Sequence, residues 1–284
     1  MKIMKLSIPI LLLSGCLSLA SDILYCDSGG PQGGAVFNSG LVLSSGGFLS
    51  TPLDIAVNAQ GLAVVACPGR LVRVDGAGTQ SVLVQDYGTL GSPYGVSFER
   101  TGNVLVATGF SLVKVGATGQ MKTVTVGRDV TAPVDVAVSE TGEAYVLDVD
   151  YPPAIVRVSA KGNQSVISQS GLFVNPQGIV VSSGYAYVTD SESGNFGVGK
   201  VIRVNLKTGA QKLVSTGGNL VFPIGITVYE FGDLIVADPY TINPQSVDLY
   251  DGAIIRIDPV TGAQTILARG GNGFVNPVGV AIRQ

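Results

Sequence analysis

The sequence predicts an all-β chain, a six-bladed β-propeller built from four-stranded antiparallel blades. Three observations predict it. A short phrase recurs along the chain at propeller spacing, the same four-strand pattern follows each recurrence, and the two ends of the repeat region are complementary pieces of one unit. Composition agrees, with 39 glycines among 284 residues, 46% hydrophobic residues and 13% charged ones. Such a mixture suits many short strands joined by tight turns, because β-branched side chains fit a pleated surface and glycine supplies turn geometry.

The phrase is an X-Pro step, then Gly or Asp, then an alternating apolar strand. It reads Pro52-Leu53-Asp54-Ile55, Pro93-Tyr94-Gly95-Val96 and Pro133-Val134-Asp135-Val136, then Pro176-Gln177-Gly178-Ile179, Pro223-Ile224-Gly225-Ile226 and Pro277-Val278-Gly279-Val280. Successive prolines lie 41, 40, 43, 47 and 54 residues apart, in the range of propeller blades. The strand that the phrase opens is the innermost of a blade, strand A.

The other elements follow in order. A glycine turn (Gly61, Gly102, Gly142, Gly184, Gly232) leads to an apolar strand B at 63–66, 104–107, 144–147, 186–189 and 234–237. Strands A and B are apolar on both faces, as expected for a blade sandwiched between neighbours. Strand C reads Leu71-Val72-Arg73-Val74, Leu112-Val113-Lys114-Val115, Ile155-Val156-Arg157-Val158, Val201-Ile202-Arg203-Val204 and Ile254-Ile255-Arg256-Ile257. A further glycine turn precedes strand D, for example 81–84 or 264–267. The last phrase stops after one strand, 278–282, while the chain opens with an unpartnered B-type strand, Ile23-Leu24-Tyr25-Cys26-Asp27. Segments 34–38 and 41–44 supply C and D, so the sixth blade is shared between the two ends. A ring closed in this way leaves no long exposed edge and predicts a monomer, with residues 21–284 as one domain.

Residues 1–20 have the pattern of a targeting segment. Lys2 and Lys5 precede a short apolar run from Leu6 to Leu13, broken by Pro9 and too short to span a bilayer, which takes about 20 residues. Two processing readings stand. Leu13-Ser14-Gly15-Cys16 matches the bacterial lipobox, with Cys16 lipidated. Ser18-Leu19-Ala20 matches ordinary cleavage after Ala20. Either predicts a secreted, periplasmic or cell-envelope protein, touching a membrane only through that lipid.

The net charge is −3 and no basic stretch is present, which argues against nucleic acid as a partner. The chain contains no histidine. Ser-His-Asp and Cys-His nucleophiles and His-bearing zinc sites are thereby excluded.

The wording Pro-x-Gly-Ile-x-Val, a glycine turn, Tyr187-Val188-Thr189-Asp190 and Ile202-Arg203-Val204 resembles the NHL repeat, and Pro223 to Ile257 carries the same pattern. It is also similar to the six-bladed propellers of the streptogramin lyase and gluconolactonase-like groups. The resemblance implies the fold over nearly all of 22–284. It does not carry over the lyase histidines, which have no counterpart here. A gluconolactonase-like hydrolase or lyase would imply Ca²⁺ held by Asp, Glu and Asn, whose positions no motif identifies.

Four groups of residues are candidates for function. An Asp ends strand B as Asp27, Asp148, Asp190 and Asp238, replaced by Cys67 and Gly109 in blades one and two. Asp148, Asp190 and Asp238 are candidate Ca²⁺ ligands, or else local acceptors of backbone N–H that fix the following loop. The loops after strand B are long in blades three to five, acidic and aromatic. They bring Asp150, Tyr151, Glu192, Phe196, Tyr240, Asp248, Tyr250 and Asp251 to one side as a predicted contact surface for a protein, carbohydrate or other small ligand. Arg73, Lys114, Arg157, Arg203 and Arg256 share one strand-C position, where a stem packed on the next blade and a head paired there is expected. Cys26 and Cys67 fall in adjacent blades one register apart. They make either a disulfide staple or two small buried side chains. The function that these features favour is recognition or scaffolding, with the Ca²⁺-dependent enzyme as the alternative.

Overall fold

The structure, a computed structural model, describes residues 23–29, 33–191, 198–229, 232–241, 251–270 and 276–283. Strands β1 (Ile23–Asp27), β2 (Ala35–Asn38) and β3 (Leu41–Ser45) come first and lack an inner partner of their own. Blade one is β4 (Asp54–Val57), β5 (Ala63–Cys67), β6 (Arg70–Val74) and β7 (Gln80–Gln85). Blade two is β8 (Gly95–Phe98), β9 (Val104–Ala107), β10 (Ser111–Val115) and β11 (Met121–Val126). Blade three is β12 (Pro133–Val138), β13 (Ala144–Asp148), β14 (Ala154–Val158) and β15 (Gln164–Gln169). Blade four is β16 (Pro176–Ser182), β17 (Tyr185–Asp190), β18 (Lys200–Asn205) and β19 (Gln211–Thr216). Blade five is β20 (Ile226–Val228), β21 (Leu234–Asp238), β22 (Ala253–Ile257) and β23 (Gln264–Arg269). The final strand, β24 (Pro277–Ile282), completes blade six in the order β24-β1-β2-β3. Closure runs through antiparallel pairs from Ile23↔Ile282 to Cys26↔Gly279.

Apolar alternation becomes packing between blades. Six clusters of buried side chains, one per junction, include Val65, Cys67, Leu24 and Cys26 between blades six and one, and Val64, Ala66, Val96 and Val106 between blades one and two. Successive residues of β5 thus serve opposite neighbours, which is why a central strand here is apolar throughout.

The outer strands are bent by one repeated device. In all six blades the register between strands C and D slips by one residue, as between Leu71 and Val72 or between Val201 and Ile202. A bulge of this kind strengthens strand twist. The carbonyl of the bulged residue meets the C–D turn of the next blade: a Cβ on Gly78 would fall 2.1 Å from Leu43 O, and one on Gly209 2.3 Å from Ile167 O. Both glycines also have positive φ, so the turn requires glycine for two separate reasons. The first residue of strand D locks the same junction. Gln80, Gln164, Gln211 and Gln264 each accept a backbone N–H and donate to a carbonyl of the preceding blade.

The strand-C cations behave differently from expectation. Arg73 alone reaches the next blade, donating to Ala117 O. Lys114 pairs with Glu99 at 2.6 Å, Arg157 with Glu143 at 3.6 Å and Arg256 with Asp233, all on their own blades. Arg203 lies over the Tyr185 ring, 4.8 Å from its centroid. The A–B hairpin supplies these partners because its end lies beside strand C on the same sheet.

Candidate functional site

The end of each blade where strand A begins, here the upper end, carries the D–A and B–C connections. Its carboxylates are built into the backbone. Asp148 Oδ2 accepts the N–H of Thr131 (2.7 Å) and Ala132 (2.9 Å), and Oδ1 accepts that of Asp150 (3.0 Å). Asp190 accepts from Val174 (2.7 Å) and Asn175 (3.2 Å). Asp238 accepts from Val221 (2.7 Å), Phe222 (3.0 Å) and Tyr240 (2.9 Å). Asp27 performs the same task across the closure, binding Asn276 N at 2.9 Å and Gly29 N at 2.8 Å. Each side chain ties the loop before strand A to the end of strand B. Asp148, Asp190 and Asp238 thus have the local role of loop staple, and among the described residues no three His, Cys, Asp or Glu side chains gather as a metal group. Burial pushes the Asp238 carboxyl up to about 6 despite its three N–H partners.

The predicted contact surface is only partly within the described residues. Tyr151 is 93% exposed, and Asp150 beside it accepts from Thr131 Oγ1 at 3.0 Å. Tyr240 is 43% exposed and packs edge-on against Phe222, ring centroids 5.7 Å apart. Asp251 is half-buried, its N–H on Thr241 O at 3.0 Å. These pairs belong to connections two blades apart. Glu192, Phe196, Asp248 and Tyr250 lie outside the described residues, as does Cys16. Cys26 and Cys67 are free thiols buried in one cluster between blades six and one. Burial pushes Cys67 up to about 11 and Cys26 well above its usual value.

Sequence reasoning missed two further features. The first is aromatic. Tyr87, Tyr94 and Phe110 are exposed in the short upper connections of blades one and two. Tyr87 lies across Gly69, where a Cβ would fall 2.2 Å from its ring, and its hydroxyl accepts from Arg70 at 3.0 Å. Tyr94 lies across Gly109 in the same way, 2.8 Å from a Cβ there. The signal was a glycine at the end of strand B with an aromatic near an X-Pro step, the following one for Gly69 and its own blade's for Gly109.

The second is the central channel, a cavity of about 270 Å³ walled by the six A strands. Its lining side chains are mostly apolar, exposed backbone makes much of its accessible wall polar, and its titratable members are Asp54 and Asp135. Asp54 Oδ2 accepts Val96 N at 2.8 Å, and Asp135 Oδ2 accepts Ile179 N at 2.7 Å. Burial pushes Asp54 up to about 7. Burial, and then the charge of Asp54, push Asp135 well above the usual carboxylate range. Their signal was the third residue of the phrase, which runs Asp, Gly, Asp, Gly, Gly, Gly around the ring.

Neither a family model nor a curated protein matches the chain. Solved structures do. TolB from Acinetobacter baumannii is similar with a TM-score of 0.69 at 14% identity, over 93% of this chain and 67% of that one. The gluconolactonase XC5397 from Xanthomonas campestris gives 0.62 at 14% identity, over 80% and 78%. A structure of a nidogen–laminin complex gives 0.55 at 16% identity, over 78% and 98%. The chain is a six-bladed β-propeller. At such identities the likeness concerns the fold, and propellers host unrelated activities.

Proposed function

We propose that this propeller is a recognition or scaffold module of the bacterial cell envelope, binding a protein or carbohydrate ligand on its upper face. One observation carries the reading. Every exposed aromatic among the described residues lies in an upper connection: Phe48, Tyr87 and Tyr94 in D–A loops, Phe110, Tyr151 and Tyr240 in B–C turns. Aromatic side chains left exposed on one side of a closed ring suit recognition, because they supply large contact area at low entropic cost. The upper carboxylates support it too, since their backbone duties leave them as framework. Export through residues 1–20, with either processing reading, would bring the module to its place of action, and the intact mass of the mature protein separates a lipidated Cys16 from cleavage after Ala20.

The test compares faces. Phe110→Ser, Tyr151→Ser and Tyr240→Ser together are expected to shift stability by no more than about 0.5 kcal/mol each, as exposed positions do. They should abolish capture of a glycan on an array or of a partner crosslinked in envelope extract. Val260→Ser, in a lower turn and 85% exposed, should leave capture intact. Equal capture by the triple variant would remove the upper face from consideration.

A further inference from the structure

We propose that Asp54 and Asp135 form a proton-dependent clasp across the upper end of the central channel, shut while the pair carries at least one proton and loosened when both carboxyls ionise. The two side chains flank a single dipeptide step, Gly95-Val96 at the start of β8. Asp54 Oδ2 binds Val96 N from the blade-one side. Asp135 presses on Gly95 from the blade-three side, so closely that a Cβ on Gly95 would fall 2.2 Å from Asp135 Oδ1 and 2.5 Å from its Cα. Beyond Asp54, a Cβ on Gly279 would fall 2.7 Å from Asp54 Oδ1. The glycines of the phrase therefore make room for the two carboxyls, and the carboxyls tie blade one to blade two and blade three to blade four.

Among the described residues no cation offsets the pair. Strand β1 brings Cys26 and Asp27 toward Asp54, β5 brings Cys67, and β13 brings Asp148 near Asp135, while β8, β16, β20 and β24 contribute no titratable side chain. The aspartates among these are occupied with backbone N–H groups, and Cys26 stays protonated. Two negative charges on either side of one dipeptide, half-buried at the channel rim, repel each other and lose part of their hydration together. The direction with pH follows from linkage. Folding raises the proton affinity of both carboxyls, so their contribution is whole below the ordinary carboxylate value near 4 and declines as pH rises through about 7 and above. The two steps belong to the pair rather than to either residue.

Hydrogen exchange on the intact protein tests the clasp. After correction for the intrinsic pH dependence, exchange of the Val96 and Ile179 amides is expected to accelerate at least about tenfold between pH 5 and pH 8.5, the response to one unit of unmet proton demand. Amides of the outer strands, such as Val82, should not follow. Asp54→Asn and Asp135→Asn, made singly, remove one of the two charges and should flatten the response. Exchange at Val96 and Ile179 that is independent of pH in the wild-type protein would overturn the proposal, and so would an undiminished response in both variants. If neither variant folds, the wild-type profile decides alone, together with the infrared carbonyl band of a protonated carboxyl, which should be present at pH 7 and weaken as the pH is raised further.

Discussion

Aspartates solve the same local problem in a buried upper loop and in exposed lower turns, and at Asp238 on one side and Asp75 and Asp258 on the other the electrostatic results are opposite. At the upper end Asp238 accepts three backbone N–H groups. At the lower end Asp258 accepts those of Val260 and Thr261, and Asp75 those of Ala77 and Thr79. These bonds favour the carboxylate in every case. Yet Asp75 and Asp258 are held below the usual carboxylate range by their N–H partners, whereas burial raises Asp238. Water makes the difference, not the end of the blade: Asp75 and Asp258 stand in it, and so does Asp86 in an upper loop, which its N–H partners hold low as well. At Asp238, buried under a D–A loop, desolvation outweighs three hydrogen bonds.

The largest effect that separates the two settings should come from deleting a carboxylate. Asp238→Ala leaves the buried N–H of Val221 and the partly buried ones of Phe222 and Tyr240 without acceptors and is expected to cost about 3 kcal/mol, read as a lower urea midpoint. Asp258→Ala should move the midpoint far less, because water replaces the lost acceptor. Equal losses would show that burial is not what distinguishes them.

Glycines give a second comparison of intermediate size. Gly69→Ala combines a positive φ of 70° with collision against the Tyr87 ring and should cost roughly 1–3 kcal/mol. Gly76→Ala, in a lower turn with nothing within 4 Å of the added Cβ, should be neutral or stabilise by up to about 1 kcal/mol. Thermal melts of the two variants test this directly.

The smallest effect is in the acid limb of the stability curve. Asp75 and Asp258 have lowered proton affinity in the folded chain, so their contribution is present above the ordinary carboxylate value and fades as pH falls through their own. Asp75→Asn with Asp258→Asn should leave the melting temperature at pH 7 nearly unchanged and make it less sensitive to acid below about pH 4. Asp238 works in the other direction, losing its stabilising contribution as pH rises through about 6.

How much of this was legible depended on whether a feature repeats. The X-Pro phrase marked every A strand, and the unpartnered strand at Ile23 anticipated the pairing of β1 with β24. The Asp at the end of strand B was readable as a fixer of the following loop, as at Asp150 N and Tyr240 N, but not as a tie to the D–A loop 15 to 17 residues earlier, which precedes strand A. Asp54 and Asp135 carried a signal, the two aspartates at the third position of the phrase, but their partners lie in the next blade, 42 and 44 residues on, so nothing local in sequence showed what they bind. Tyr94 and Phe110 were overlooked because loop length drew the contact surface to blades three to five, while exposure depends on what covers a residue. The strand-C cations show the reverse error: regularity suggested a bond between blades where four of the five side chains find partners on their own sheet.

The shared blade has a consequence for how the chain reaches its native form. Asn276 N meets Asp27 Oδ2 across 249 residues of sequence, so closing the ring is the least local step in folding and belongs among its slow ones. Until it occurs, β1 offers an unpaired inner edge and β24 an unpaired strand, and either can be satisfied by a neighbouring molecule as well as by its own chain. Refolding should therefore be a competition between first-order ring closure and second-order strand exchange, yielding monomers when dilute and swapped dimers when concentrated.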